Sequence, residues 1–342
     1  MSNHSQNDKA IQAVPTNIIT GFLGAGKTSA ILNLLKYKPE SERWAVLVNE
    51  FGEIGIDGSL FGGQHSEGSG VFIREVPGGC MCCAAGLPMN IALNQLLQKA
   101  KPDRLLIEPT GLGHPVEVLE VLLAEHYQTV LSVEKIVTLV DARKLTDSRY
   151  TEHNTFNQQI DIADVVVGNK QDLYEAGDKE RLVDYVNARP VNQEDDSVSV
   201  LFAEQGRMSP NILRGKTAAV AHLHHHHHHH ETQAGENINE QPIPDSGYLK
   251  VENEGEGFRS VGWRFDPELV FDRTKLFSFL SGLVVERMKA VFITEDGIFG
   301  YNLTPDALTE MELDDCLESR IEIIAPECEE QWHEQLLACV NS

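Results

Sequence analysis

Short apolar runs alternate with longer stretches of helical spacing along most of this chain. "TNIITG", "WAVLVNE", "VFIREV", "DRLLIEPTG", "KIVTLVDA", "DVVVGNK" and "SVLFA" each hold a brief β-branched core and read as strands. Between them, "KTSAILNLLKY", a stretch from about Leu87, "PVEVLEVLLAEHY", "TFNQQIDIA" and "KERLVDYVNA" read as helices. Strands that alternate with helices need crossover connections, which predicts an α/β fold with a mostly parallel sheet flanked by helices. Ligands of such a sheet sit beyond the carboxyl ends of its strands, so the residues just after each strand carry the interest.

Near the C-terminus the pattern changes. "FRSVGWRFD", "RMKAVFIT", "GIFGYNLT" and "RIEIIAP" alternate like strands, while "RTKLFSFLSGLV" and "CEEQWHEQLLACV" have helical spacing, so a smaller α+β unit is expected. A chain of 342 residues is long enough for two cores. The first fifteen residues are polar, and no apolar run approaches the roughly 20 residues a bilayer requires, so a cytoplasmic protein without a membrane partner is expected. The net charge of −24 argues in the same direction against nucleic acid and anionic membranes.

The candidate chemistry follows the strands. "GFLGAGKT" matches the P-loop pattern at Gly21, Gly26, Lys27 and Thr28, with Gly24, Ala25 and Ser29 completing the loop and helix start. Its glycines let backbone N–H groups curl round phosphates, Lys27 reaches the outer phosphates, and the Thr28 hydroxyl suits magnesium. Glu108, after "LLI", is the candidate helper of that magnesium, with Asp141 after "VTLV" as competitor. "NKQD" supplies Asn169, Lys170 and Asp172 in a pattern in which the aspartate accepts hydrogen bonds from guanine; adenine cannot donate that pair, which disfavours a kinase-like ATP enzyme. No glutamine suited to positioning water follows Gly111 directly.

Six cysteines are present, and three of them fall in "GGCMCC" as Cys80, Cys82 and Cys83. In a fully extended strand Cys83 would face away from the other two, and Gly78 and Gly79 permit the turn that lets all three converge. Three thiolates suit zinc and leave one tetrahedral corner open. Glu50, Glu53, His114, His126 and His224 are the candidates for that corner, and oxidant-sensing thiols are the competing reading. The tract His222 to His230 adds a weak, exchangeable metal reservoir or a neutral spacer. Cys316, Cys328 and Cys339 stand singly and read as packing residues.

Together, "GFLGAGKT", "VNEFGEIGID", "GGCMCC", "EPTG" and "NKQD" resemble the CobW-like family of P-loop metallochaperone GTPases, in particular its YeiR-type zinc-binding subgroup. The resemblance is dense over the first unit and looser over the second. It implies GTP hydrolysis to GDP with Mg2+, zinc at Cys80, Cys82 and Cys83, Glu108 in place of the aspartate of other GTPases, and delivery of metal to a client metalloprotein. GTP-binding metal storage without delivery is the alternative, and a homodimer stays open. Val48 departs from relatives that carry an acidic residue there, so any fourth ligand must come from elsewhere. The expected organisation is a flexible terminus over 1–15, a P-loop GTPase domain over 16–220, a His-rich linker over 221–247 and a C-terminal domain over 248–342.

Overall fold

A computed structural model describes residues 11–48, 69–76, 87–189, 198–219, 243–244, 246–255, 258–313, 316 and 318–341. Among these, the first sheet contains β1 (Val14–Gly21), β2 (Trp44–Val48), β3 (Val71–Glu75), β4 (Arg104–Glu108), β5 (Leu131–Val133), β6 (Val137–Val140), β7 (Val165–Gly168) and β8 (Ser199–Phe202). Their order is β3-β2-β4-β1-β6-β7-β8, with β5 also paired to β1, and every pairing is parallel. The connecting helices are α1 (Lys27–Lys36), α2 (Leu87–Ala100), α3 (Pro115–Leu123), α4 (Ser148–Thr151), α5 (Asn154–Asp161) and α6 (Asp178–Asn187).

Two helical layers explain why the strands are apolar on both faces. Ile18, Leu105 and Ile107 pack with Leu93 and Leu96 of α2 and Leu119 of α3. Ile19, Leu106 and Leu139 pack with Ile31 and Leu34 of α1 on the other face. Alternate residues of one strand thus enter opposite cores, as the strand period of two requires. β5, which the apolar pattern does not predict, is a three-residue "LSV" run. It takes the edge of β1 through Val14 to Thr16 before β6 takes it from Ile19 onward.

The second sheet contains β9 (Tyr248–Gly255), β10 (Phe258–Phe265), β11 (Arg287–Thr294), β12 (Gly297–Thr304), β13 (Ala307–Leu313) and β14 (Ser319–Ala325). Its order is β13-β12-β11-β14-β10-β9 and all its pairings are antiparallel. Helices α7 (Arg273–Ser281) and α8 (Gln331–Leu337) place Leu276, Leu280, Trp332 and Leu336 in a core with Trp263, Phe265, Phe292 and Tyr301. The sequence pattern misses β9 and β13. They are the two outer strands, and their "YLKVENEG" and "ALTEMEL" carry the charged residues that blunt a sheet edge.

Among the described residues the two sheets meet through ion pairs and through apolar packing at Ile324. Glu286, just before β11, receives the Tyr150 hydroxyl at 2.9 Å and lies 2.8 Å from Arg149 and 3.5 Å from Lys144. Asp306, in the turn between β12 and β13, pairs with Arg143 and Lys170. Ile324 of β14 packs with Phe22, Val140 and Tyr150. Phe22 meets Tyr150 edge-on at 5.2 Å, so the P-loop itself borders this contact.

After β8 the chain passes Gly206, whose φ of 69° lies in the left-handed region. A Cβ there would stand 2.5 Å from the backbone nitrogen of Ala30 in α1. Gly206→Ala is therefore expected to lower stability by about 1–3 kcal/mol, measured as a fall in the denaturant midpoint at unchanged slope; a parental midpoint would contradict this packing.

Candidate functional site

β1 ends at Gly21, where a Cβ would approach the carbonyl oxygen of Leu139 to 2.4 Å, so the close passage to β6 requires glycine. The loop then turns through Gly24 at φ 69° and Gly26 at φ 91°, and Gly26 caps α1. This turn delivers Lys27, Thr28 and Ser29 as the first residues of the helix. No acidic residue stands in that first turn, so the positive end of the helix dipole keeps its full pull on an anion. Buried Lys27 donates from its ammonium to the Gly21 carbonyl at 3.0 Å, which holds the charge at the mouth of the loop.

Thr28 donates its hydroxyl to Glu108 Oε1 at 3.0 Å, and both residues are buried. Glu108 closes β4 in register with Val48 of β2, and Val48 is in register with Glu75 of β3. Hydroxyl and carboxylate oxygens side by side form the hard donor pair that magnesium takes. Asp141, the competitor for that role, is engaged elsewhere. It accepts the Arg143 backbone N–H, lies 2.6 Å from the Arg143 guanidinium and 3.8 Å from Lys170. The hydrogen bonds to Asp141 hold Arg143 well above its ordinary pKa.

Asn169 follows β7 and is almost completely buried. Its amide donates to the Ala25 carbonyl at 2.9 Å and accepts the Gly206 N–H at 2.9 Å, so the loops after β1, β7 and β8 share one side chain. A Cβ on Gly26 would lie 2.5 Å from the same amide. Lys170 adopts a left-handed φ of 60° and sends its ammonium to Asp306 of the second sheet. Asp172 is exposed in the turn Gln171–Leu173, which the Gln171 N–H anchors to the Ala203 carbonyl at 3.0 Å.

Two contributors were not read from the sequence. Gly206 is signalled only by a glycine shortly after "SVLFA", with nothing to name its partner. Gln159 donates to the carbonyls of Gly111 at 3.0 Å and Gly113 at 3.4 Å and so braces the segment after Glu108. Its signal is a polar residue on the buried face of α5, whose neighbour Ile160 is fully buried.

Cys80, Cys82, Cys83, Glu50, Glu53 and His224 lie outside the described residues, as do the rest of the histidine tract and the 1–10 stretch. Among the described residues no group of three or more His, Cys, Asp or Glu is placed to hold a metal ion. His114 caps α3 at the carboxyl edge of the sheet, six residues after Glu108. His126 is exposed in the turn Glu125–Tyr127, and the following Thr129 and Val130 bond the start of β1. The full length of β1, about 25 Å, therefore separates it from the P-loop.

A parallel sheet with a P-loop after its first strand, a threonine–glutamate pair beneath it and an asparagine that ties the P-loop to the loops after β7 and β8 defines a P-loop nucleotide-binding protein. The chain belongs to the CobW/HypB/UreG family, whose nucleotide-binding domain matches residues 15–198. It is similar to the zinc chaperone YeiR of Escherichia coli (strain K12), at 37% identity over 328 residues that cover 93% of this chain and 94% of that protein. The zinc chaperone YjiA of the same organism is 30% identical over 209 residues, covering 57% of this chain and 63% of its own. The crystal structure of Zn(II)-bound YjiA GTPase from E. coli aligns over 96% of this chain and 99% of that one, at 16% identity and a TM-score of 0.44. No helix among the described residues is long and apolar enough to cross a membrane.

Removing the shared amide tests the architecture. Asn169→Ala leaves the Ala25 carbonyl and Gly206 N–H buried without this partner, at roughly 1–3 kcal/mol each. Denaturation should show that loss together with weakened nucleotide binding; a variant with parental stability and affinity would show that the three loops do not depend on Asn169.

Proposed function

We propose that this protein is a GTPase that takes zinc as cargo and couples its nucleotide state to holding and delivering that metal to a client metalloprotein. The observation that carries the reading is the row of strand ends on which the Thr28–Glu108 pair sits. Val48 is in register with both Glu108 and Glu75, and the next residue, Val76, donates its N–H to the Val48 carbonyl at 2.9 Å. The chain thus leaves the sheet for the cysteine segment two strand spacings, about 10 Å, from the magnesium-type pair. Cys80 is four residues further on.

In this reading the loop backbone and Lys27 bind the phosphates, Thr28 and Glu108 hold magnesium, and Asp172 accepts the two N–H donors of guanine. The hard oxygens of Thr28 and Glu108 fit that ion; when bound it neutralises charge on the outer phosphates. Gln159 braces Gly111 and Gly113, keeping the segment after Glu108 beside the outer phosphates. Cys80, Cys82 and Cys83 take zinc as thiolates, with an open fourth corner through which cargo is passed on. The relatives named as zinc chaperones support this choice of metal. Because one row of strand ends carries both segments, metal and GTP alter each other's affinity by the same factor.

Two experiments test the reading. Asp172→Asn should reverse base preference by about tenfold or more toward xanthosine triphosphate, whose extra carbonyl pairs with an amide donor; unaltered preference would remove Asp172 from guanine recognition. Replacing Cys80, Cys82 and Cys83 together by Ser should lower zinc affinity by orders of magnitude while GTP affinity stays near parental. In the parent, zinc should change GTP affinity by about 5- to 150-fold, and in the triple variant that response should vanish. Equal zinc affinity in both proteins would end the assignment, and a parent indifferent to zinc would end the coupling.

A further inference from the structure

Four cations of the first sheet, Arg143, Lys144, Arg149 and Lys170, face two carboxylates of the second, Glu286 and Asp306, in a chain of net charge −24. The two carboxylates differ in what they hold. Glu286 engages the α4 region, where Tyr150 and Arg149 lie. Asp306 engages the base loop itself. It accepts from the Lys170 ammonium and from both terminal nitrogens of Arg143, at 3.1 Å each, while Arg143 also grips Asp141. Lys170 immediately follows Asn169 and stands two residues before Asp172, so its side chain runs from the base loop to the second sheet.

We propose that Asp306 is a positioning residue of the guanine site: by holding Lys170 it fixes the loop that carries Asp172, and the second sheet thereby sets guanine affinity and selectivity. This rests on reading "NKQD" as the guanine-recognition loop. Three features of the site favour the assignment. The left-handed backbone at Lys170, uncommon for a residue with a Cβ, directs this one side chain out of the loop. The exposed Asp172 has a backbone anchor beside it at Gln171, but Lys170 is the neighbour tied by charge. Burial alone would raise the Asp306 carboxyl, yet hydrogen bonds from Arg143 and Lys170 bring it down to about 2, so the group is ionised throughout the physiological range.

The test measures dissociation constants for GTP and for inosine triphosphate, which lacks the exocyclic amine that Asp172 would accept, on the full chain. The dissociation constant for inosine triphosphate divided by that for GTP reports base reading and cancels changes at the phosphates. Asp306→Asn is expected to reduce this ratio about fivefold, to raise KM for GTP with kcat within about twofold, and to be partly rescued by Asp306→Glu. Glu286→Gln loosens the same sheet contact without touching Lys170 and should keep the parental ratio. If both variants lower the ratio equally, Asp306 acts only through docking of the sheets and the proposal falls. It falls too if Asp306→Asn keeps the parental ratio or binds GTP more tightly. Should the variant not fold, a salt series on the parent decides: between about 0.05 and 0.5 M the partly exposed Lys170–Asp306 pair is screened, so the ratio should drop, and a constant ratio overturns the proposal. Asp172→Asn, run in parallel, separates the two levels: no shift toward xanthosine triphosphate fells the guanine reading, whereas that shift together with a parental ratio in Asp306→Asn fells only the role of Asp306.

Discussion

One buried amide fixes the geometry on which the nucleotide site depends. Asn169 gives its N–H to Ala25 in the phosphate loop and takes the N–H of Gly206 in the loop after β8. Neither partner has water to turn to, so the amide cannot rotate or be displaced without leaving buried polar groups unpaired. The consequence is that the P-loop and the loops after β7 and β8 move as one piece. The glycines around it follow from the same constraint: Gly26 has no room for a Cβ beside the amide, and Gly206 none beside α1.

Much of this was legible in the chain because the strands of a parallel sheet are buried on both faces and so stand out as apolar runs. "TNIITG", "WAVLVNE" and "DVVVGNK" contain most of β1 and all of β2 and β7, and the chemistry sits just past each of them. Where burial is one-sided or an edge is exposed, the signal fades. β9 and β13 alternate apolar with charged residues, and β5 is too short for any period to register.

The site was legible in its residue types but not in its joins. Glu108 and Asp141 follow comparable strands, and only the placement of Arg143 beside one of them decides which carboxylate meets Thr28. The place of His126 is likewise unmarked: the pairing of the residues after it with the start of β1 sets it at the far end of that strand from the P-loop. Asp306 carries no local mark at all. A proline and an aspartate in a hairpin turn are ordinary turn chemistry, and its meaning comes from a lysine 136 residues earlier in the chain.

The position of β14 imposes an order on assembly. It is the last strand in the sequence, yet it lies inside its sheet, bonded to β10 on one side and β11 on the other. As the chain emerges from the ribosome, the parallel sheet has its full set of described strands once Phe202 is out, while β10 and β11 wait for Ser319–Ala325 to come between them. For more than a hundred residues of synthesis, then, a nucleotide-binding layer exists whose neighbour is still unassembled. The β9–β10 hairpin and the β11–β12–β13 meander pair locally, but only the arrival of β14 between β10 and β11 joins them into one sheet.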